Sequence, residues 1–113
     1  MDETLNKLEI IKKAISDKIG YDIEVIDIRG KANFADYFVI CSATNSSQLS
    51  AICDNVEYEM GKAGYEAINP SKNRSNDWIL LDYDEIIVHI FDIKARKFYD
   101  IERLWKERDI NKD

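Results

Sequence analysis

Two apolar runs, Trp78–Leu81 and Ile86–Phe91, flank the acidic tetrapeptide Asp82-Tyr83-Asp84-Glu85. Both have strand length and are rich in β-branched and aromatic residues, so the stretch reads as a β-hairpin. A two-residue period puts Trp78, Leu80 and Asp82 on one face, with Ile79, Leu81 and Tyr83 on the other. In the second run Ile86, Val88 and Ile90 oppose Ile87, His89 and Phe91. Apolar residues on both faces imply either a strand covered twice or a sheet whose second face meets a partner.

Upstream, Leu5, Leu8, Ile11, Ile15 and Ile19 recur at helical spacing with Ile10 beside them, Thr4 as the expected cap and Gly20 as the expected C′ residue. Asp22–Ile28 and Tyr37–Cys41 read as strands, the second a continuous apolar run suited to the middle of a sheet. The small polar residues Thr44-Asn45-Ser46-Ser47 then cap a helix carrying Leu49, Ile52, Val56, Met60 and Ala63 to Gly64, and a following strand would complete a βαβ-like unit. Tyr65–Ile68 reads as a short fifth strand ended by Pro70, and residues 71–77 as a polar loop. The pattern closes with one helix from about Ala95 to Arg108, apolar at Phe98, Ile101, Leu104 and Trp105, and a frayed tail over 108–113.

The chain of 113 residues has room for a single domain, 1–113. With 45% hydrophobic and 34% charged residues it belongs with globular proteins rather than disordered ones. No apolar run approaches the roughly 20 residues of a membrane span, and the start lacks a signal-peptide pattern. A cytoplasmic location follows as the expectation, with Cys41 and Cys53 as buried free thiols. The net charge of −6 disfavours direct grip on a phosphate backbone and favours a basic protein partner.

Chemistry is hard to find. GxGxxG, GxxxxGK[ST] and GxSxG are all missing, and the turn SATNSS has no glycine to bring backbone close to a phosphate. His89, the one histidine, lies mid-strand among apolar neighbours, where packing is a commoner role than ligation. Asp82, Asp84, Glu85 and Asp92 read as solvated turn carboxylates rather than a cation site. No catalytic residue, cofactor or metal is expected.

Three segments together are more specific than any motif: ADYFVICSATNSSQLSAICDNV (35–56), DWILLDYDEIIVHIF (77–91) and ARKFYDIERLWKE (95–107). In this order they resemble the ribosomal silencing factor family, RsfS or Iojap-like, over nearly the whole chain. Two departures concern loops: Asp84 replaces a common glycine, and NRSND replaces a glycine-and-glutamate turn. The resemblance implies an α/β domain, a mixed sheet of about five strands flanked by helices, with nucleotidyltransferase-like architecture but no catalytic motifs. It implies binding to the fourteenth protein of the large (50S) ribosomal subunit, steric exclusion of the 30S subunit, and repression of translation when nutrients are short. Homodimers are also common in the family. The alternatives in other classes are a nucleotidyltransferase-like enzyme, which rests on architecture alone, and a dimeric scaffold.

Within that resemblance the expected partner-binding residues are Trp78, Leu80, Asp82, His89, Arg96 and Tyr99. Trp78 leads them, since tryptophan is enriched among interface anchors. Asp82 orients the face, because a carboxylate under helices would cost several kcal/mol unless partnered. Trp105 is expected in the core.

Overall fold

The computed structural model describes residues 2–68 and 77–107. Helix α1 (Glu3–Asp17) leads into strand β1 (Tyr21–Asp27), then β2 (Tyr37–Ala43) and helix α2 (Ser46–Lys62). The hairpin follows as β3 (Trp78–Asp82) and β4 (Ile86–Asp92), and the described chain ends in two short helices, α3 (Ile93–Tyr99) and α4 (Ile101–Glu107). The sheet order is β1-β2-β4-β3. Its central pair, β2 and β4, is parallel, with Val39 opposite Val88 and Ile40 opposite His89, and antiparallel β1 and β3 form the edges. The α2 crossover therefore lands on an antiparallel edge strand, and only the next strand returns alongside β2.

Side-chain alternation sorts the core into two layers. Val39, Cys41, Ile79, Leu81, Tyr83, Val88 and Ile90 pack under α1 and α2 with Ile11, Ile15, Ile52, Val56 and Met60. Phe38, Ile40 and Phe91 pack on the opposite face with Ile26, Ile28, Ala35 and Ala95, joined by Trp78, Ile101 and Trp105. The two predicted faces of the hairpin are thus the two faces observed.

Four strands are present among the described residues, one fewer than expected. Tyr65–Ala67 has no strand structure, and Ile68 makes a single backbone hydrogen bond, 2.7 Å, to the Asp82 carbonyl. After that point the predicted loop lies outside the described residues except for Asp77. The last helix is also not continuous. Asp92 caps α3 by accepting from the Ala95 amide at 2.7 Å, and Asp100 breaks the run with φ 47°. The break folds α4 back toward β1, where Lys106 meets Glu24 at 2.8 Å. It also rotates Phe98 and Leu104 out to solvent, away from the packed side expected for them.

The helix ends show why capping is hard to place by residue type alone. Asp2, not Thr4, caps α1, and the Thr4 hydroxyl instead donates to Glu85 at 3.3 Å. At the other end Ile19, not Gly20, takes the left-handed C′ position with φ 64°. Ile19 donates to the Ser16 carbonyl (2.9 Å) and Gly20 to that of Ile15 (3.0 Å), the two bonds of a Schellman motif. Glycine is needed one residue later because a Cβ at position 20 would lie 2.5 Å from Cγ2 of Ile15. Leu5 and Ile19 from the expected apolar stripe are exposed. Helix α2 ends as expected, with Gly64 left-handed at φ 92°.

Glu85 ties the layers together. Its carbonyl accepts from the amides of Asp36 (2.7 Å) and Tyr37 (3.1 Å), which joins the hairpin turn to the start of β2. Its carboxylate accepts from Lys7 Nζ at 2.6 Å, which joins the turn to α1. Burial works against both charges, but the mutual hydrogen bond and attraction outweigh it: Lys7 is raised and Glu85 lowered from their usual ranges. Asp84, where the resemblance implies a glycine, is left-handed at φ 72°, a conformation aspartate tolerates better than most side chains.

A β-branched residue in the left-handed region is strained, and Ile19 is 74% exposed, so little packing would be lost with its side chain. Ile19→Gly is expected to stabilise the fold by about 1 kcal/mol. Gly20→Ala should destabilise it by about 1–3 kcal/mol through overpacking against Ile15. Urea unfolding midpoints of the two variants check both signs.

Candidate protein-binding face

The sheet face under α3 and α4 carries the predicted residues, and it is only partly covered. Trp78 opens edge strand β3 opposite Phe91, and its half-buried indole packs 4.9 Å from the Phe91 ring and 4.7 Å from Tyr99, centroid to centroid. Tyr99 is 44% exposed, and the neighbouring Phe98, 5.0 Å away in an edge-on contact, is 81% exposed. Leu80, two residues along β3, is 40% exposed. An edge strand and the end of a short helix thus present one apolar, aromatic surface. Sequence reading missed Phe98, because a continuous helix would have turned it inward.

Asp82 ends the same strand face, and its Oδ1 accepts from the Asp84 amide at 2.9 Å, closing the hairpin turn. His89 and Arg96 are placed differently from a surface contact. His89 is 4% exposed, opposite Leu80 in the ladder and 4.6 Å from the Phe38 ring. Its Nδ1 accepts the Trp78 indole N–H at 3.1 Å, which puts the ring proton on Nε2, a buried atom without a hydrogen-bond partner among the described residues. Burial pushes the imidazole pKa down to about 4. Arg96 forms a fork on Glu102 (2.6 and 3.1 Å) and donates to the Ser42 hydroxyl at 2.8 Å, bracing α3 against α4 across the Asp100 break. Trp105 packs edge-on to Phe38 at 5.5 Å, in the layer expected for it.

Elsewhere the possible chemistry is occupied by structure. At the N-terminus of α2, Asn45 Oδ1 accepts from the Gln48 amide (2.8 Å) and Gln48 Oε1 from the Thr44 amide (2.6 Å), a reciprocal cap that occupies donors a phosphate would need. Burial raises the Cys41 thiol to about 12, far from a reactive thiolate. Among the described residues no three His, Cys, Asp or Glu side chains converge on a metal position. A cavity of about 400 Å³ beside β1 and α3 is lined by Asp22, Glu24, Arg96 and Glu102, with Arg96 held by Glu102 and Glu24 by Lys106. No helix among the described residues is long and apolar enough to cross a membrane.

A mixed four-stranded sheet between two helical layers, with an aromatic face at one edge strand, defines an α/β domain suited to protein contact. The family model described as "Ribosomal silencing factor during starvation", RsfS, matches residues 1–113, and the chain belongs to that family. It is 38% identical over 98 residues to the ribosomal silencing factor RsfS of Haemophilus influenzae, covering 87% of this chain and 96% of that one. The RsfS protein of Bacillus subtilis is 31% identical over 98 residues, 87% of this chain and 83% of its own. The crystal structure of protein CV0518 from Chromobacterium violaceum has the same fold, with a TM-score of 0.88 at 23% identity over 96% of this chain and 90% of that one.

His89 gives stability a pH dependence of defined sign. Its folded pKa of about 4 lies below the ordinary imidazole value of 6.5, so the unfolded chain takes up the proton first. The contribution is complete above pH 6.5 and declines as pH falls toward 4. Between pH 7 and pH 5 the protein should lose about 2 kcal/mol from this source, and His89→Phe should remove most of that loss. Urea titrations at the two pH values measure it.

Proposed function

We propose that this protein, acting as one domain in the cytoplasm, binds the large ribosomal subunit through its fourteenth ribosomal protein. By occupying the subunit-joining surface it keeps the small subunit away and lowers translation when nutrients are short. The observation that carries this reading is the family match over the full chain, and the partly exposed Trp78–Leu80–Phe98–Tyr99 surface supplies a place for the contact. Aromatic and apolar residues of this kind form the water-excluding centre of protein interfaces. Asp82 lies at the border of this surface, and the net charge of −6 favours a basic ribosomal protein. The action is steric exclusion, with no bond made or broken. A homodimer built on the same apolar surface would compete with ribosome binding.

Leu80→Ser and Tyr99→Ala are the informative variants, because both side chains are partly exposed and neither belongs to the buried core. Each should weaken co-sedimentation with purified 50S subunits about fivefold or more, as for a residue worth ~1 kcal/mol at an interface. Leu81→Ala, by contrast, truncates a fully buried residue and should cost about 2–5 kcal/mol of stability. If Leu80→Ser and Tyr99→Ala bind like the parent chain, this face is not the interface. In a subunit-joining assay the parent protein should reduce 70S formation from 30S and 50S, and 50S subunits lacking the fourteenth protein should not retain it.

Charge steering adds a kinetic signature. Raising salt should slow association more than it speeds dissociation, because screening acts mainly on the long-range approach. Stopped-flow rates between ~50 and ~300 mM salt, a range over which the Debye length falls roughly two- to threefold, read it directly. A salt-independent on-rate would remove steering from the mechanism.

A further inference from the structure

His89 raises a question that its burial makes sharper. A histidine sealed between Phe38, Phe91 and the Trp78 indole cannot reach a partner, and among the described residues its Nε2 has no hydrogen bond. A phenylalanine there would fill a similar space without stranding a polar atom. The imidazole supplies one thing that phenylalanine lacks: an acceptor for the Trp78 N–H at 3.1 Å.

We propose that His89 is a positioning residue for the protein-binding face, one that turns the Trp78 indole so that its N–H is spent inward and only ring carbon is offered to the partner. The inference rests on the reading of this face given above and specifies its chemistry. Without the acceptor, the half-buried indole would satisfy its N–H by turning that edge toward water, since an unpaired buried donor costs free energy. The Phe91 and Tyr99 rings, tilted against the indole at 4.9 and 4.7 Å, hold it in place, but ring packing alone does not choose which edge faces out. The His89 acceptor makes that choice. The partner surface opposite Trp78 is therefore apolar, or a cation seated on the ring, rather than a hydrogen-bond acceptor.

The neighbours of His89 support this assignment. From β2 it meets Phe38, from β3 Trp78 and from its own strand Phe91, while Tyr99 of α3 packs on Trp78 and Phe91. Among the described residues no charged group contributes to the depression of its pKa, which burial produces. The imidazole is thus neutral throughout the range in which ribosomes function, and the acceptor is permanently available.

The test uses the full chain, purified 50S subunits and four variants. His89→Phe removes the acceptor and keeps a ring. His89→Asn puts a carbonyl oxygen near the position of Nδ1. Trp78→Phe removes the N–H, and the double variant Trp78→Phe/His89→Phe closes the cycle. In the parent chain the Trp78 indole proton, assigned by its loss in Trp78→Phe, should exchange slowly with solvent. Exchange should become fast in His89→Phe and slow again in His89→Asn. Affinity for 50S subunits should fall about fivefold in His89→Phe, the worth of about one hydrogen bond, recover in His89→Asn, and be unaffected by His89→Phe once Trp78 is already Phe.

Equal loss in His89→Phe and His89→Asn, or an undiminished effect of His89→Phe in the Trp78→Phe background, would overturn the proposal. Unchanged binding in His89→Phe while Trp78→Phe or Leu80→Ser binds weakly would overturn it as well and leave the binding face standing. Unchanged binding in every variant, with indole exchange behaving as expected, would place the failure in the choice of face.

Discussion

The central constraint is that β2 and β4, paired in parallel, are apolar on both faces and so require cover on both. Phe38 to Ala43 is buried without interruption, as is Val88 to Phe91. Two helical layers must therefore form, but they are unequal. Helices of 15 and 17 residues, roughly 22–25 Å long, share the cover of one face, whereas the other has two seven-residue helices of about 10 Å each. The short layer cannot cover β3 completely. Large rings fill what helices leave open, which is why Phe38, Phe91, Trp78, His89 and Trp105 gather on that side while the opposite core is mostly aliphatic.

The charged ties sit at junctions between elements rather than within the sheet. Lys7–Glu85 pins α1 to the hairpin turn, and Arg96–Glu102 pins the α3–α4 break over the end of β2. Ion pairs withdrawn from water give back much of their attraction as lost hydration, so their value lies more in fixing register than in net stability. Each one sets a junction that apolar packing would leave loose: the entry to β2 in one case, and the angle between two short helices in the other. The second junction decides that Phe98 is outside and Ile101 inside.

The sheet and its alternation were legible because period-two patterning is local. A one-residue shift would have buried Asp82 and exposed Leu81, so the two faces of β3 followed from the residues themselves. The resemblance to the silencing factors was legible in three long segments, and the family match over the whole chain agrees with it. What escaped was set by tertiary contact. Asp100 carries no helix-breaking signature as strong as glycine or proline, and the break is stabilised by Arg96 and Glu102 meeting across it. Ile19 occupies a glycine-like conformation because Gly20 is needed for close approach to Ile15. Tyr65–Ile68 has the composition of a strand, yet its one described link to β3 is a single hydrogen bond. The exclusion of His89 from the surface was equally invisible, since strand period identifies its face but not how much lies above it.

On the proposed reading, incomplete cover is what allows one face to serve both folding and binding. A wholly covered β3 would add stability and leave no place to dock, and a wholly bare one would leave an unprotected apolar edge strand. The ring stack is the intermediate solution. Trp78 and Tyr99 are already held by their neighbours, so docking on them forfeits little of the ~0.5–1.5 kcal/mol that immobilising a free side chain costs. Phe98, exposed and among the described residues in ring contact with Tyr99 alone, lacks this advantage and must be ordered by the partner. Binding energy should therefore concentrate where the stack meets the edge strand, at Trp78, Leu80 and Tyr99, and fade along α3 toward Phe98.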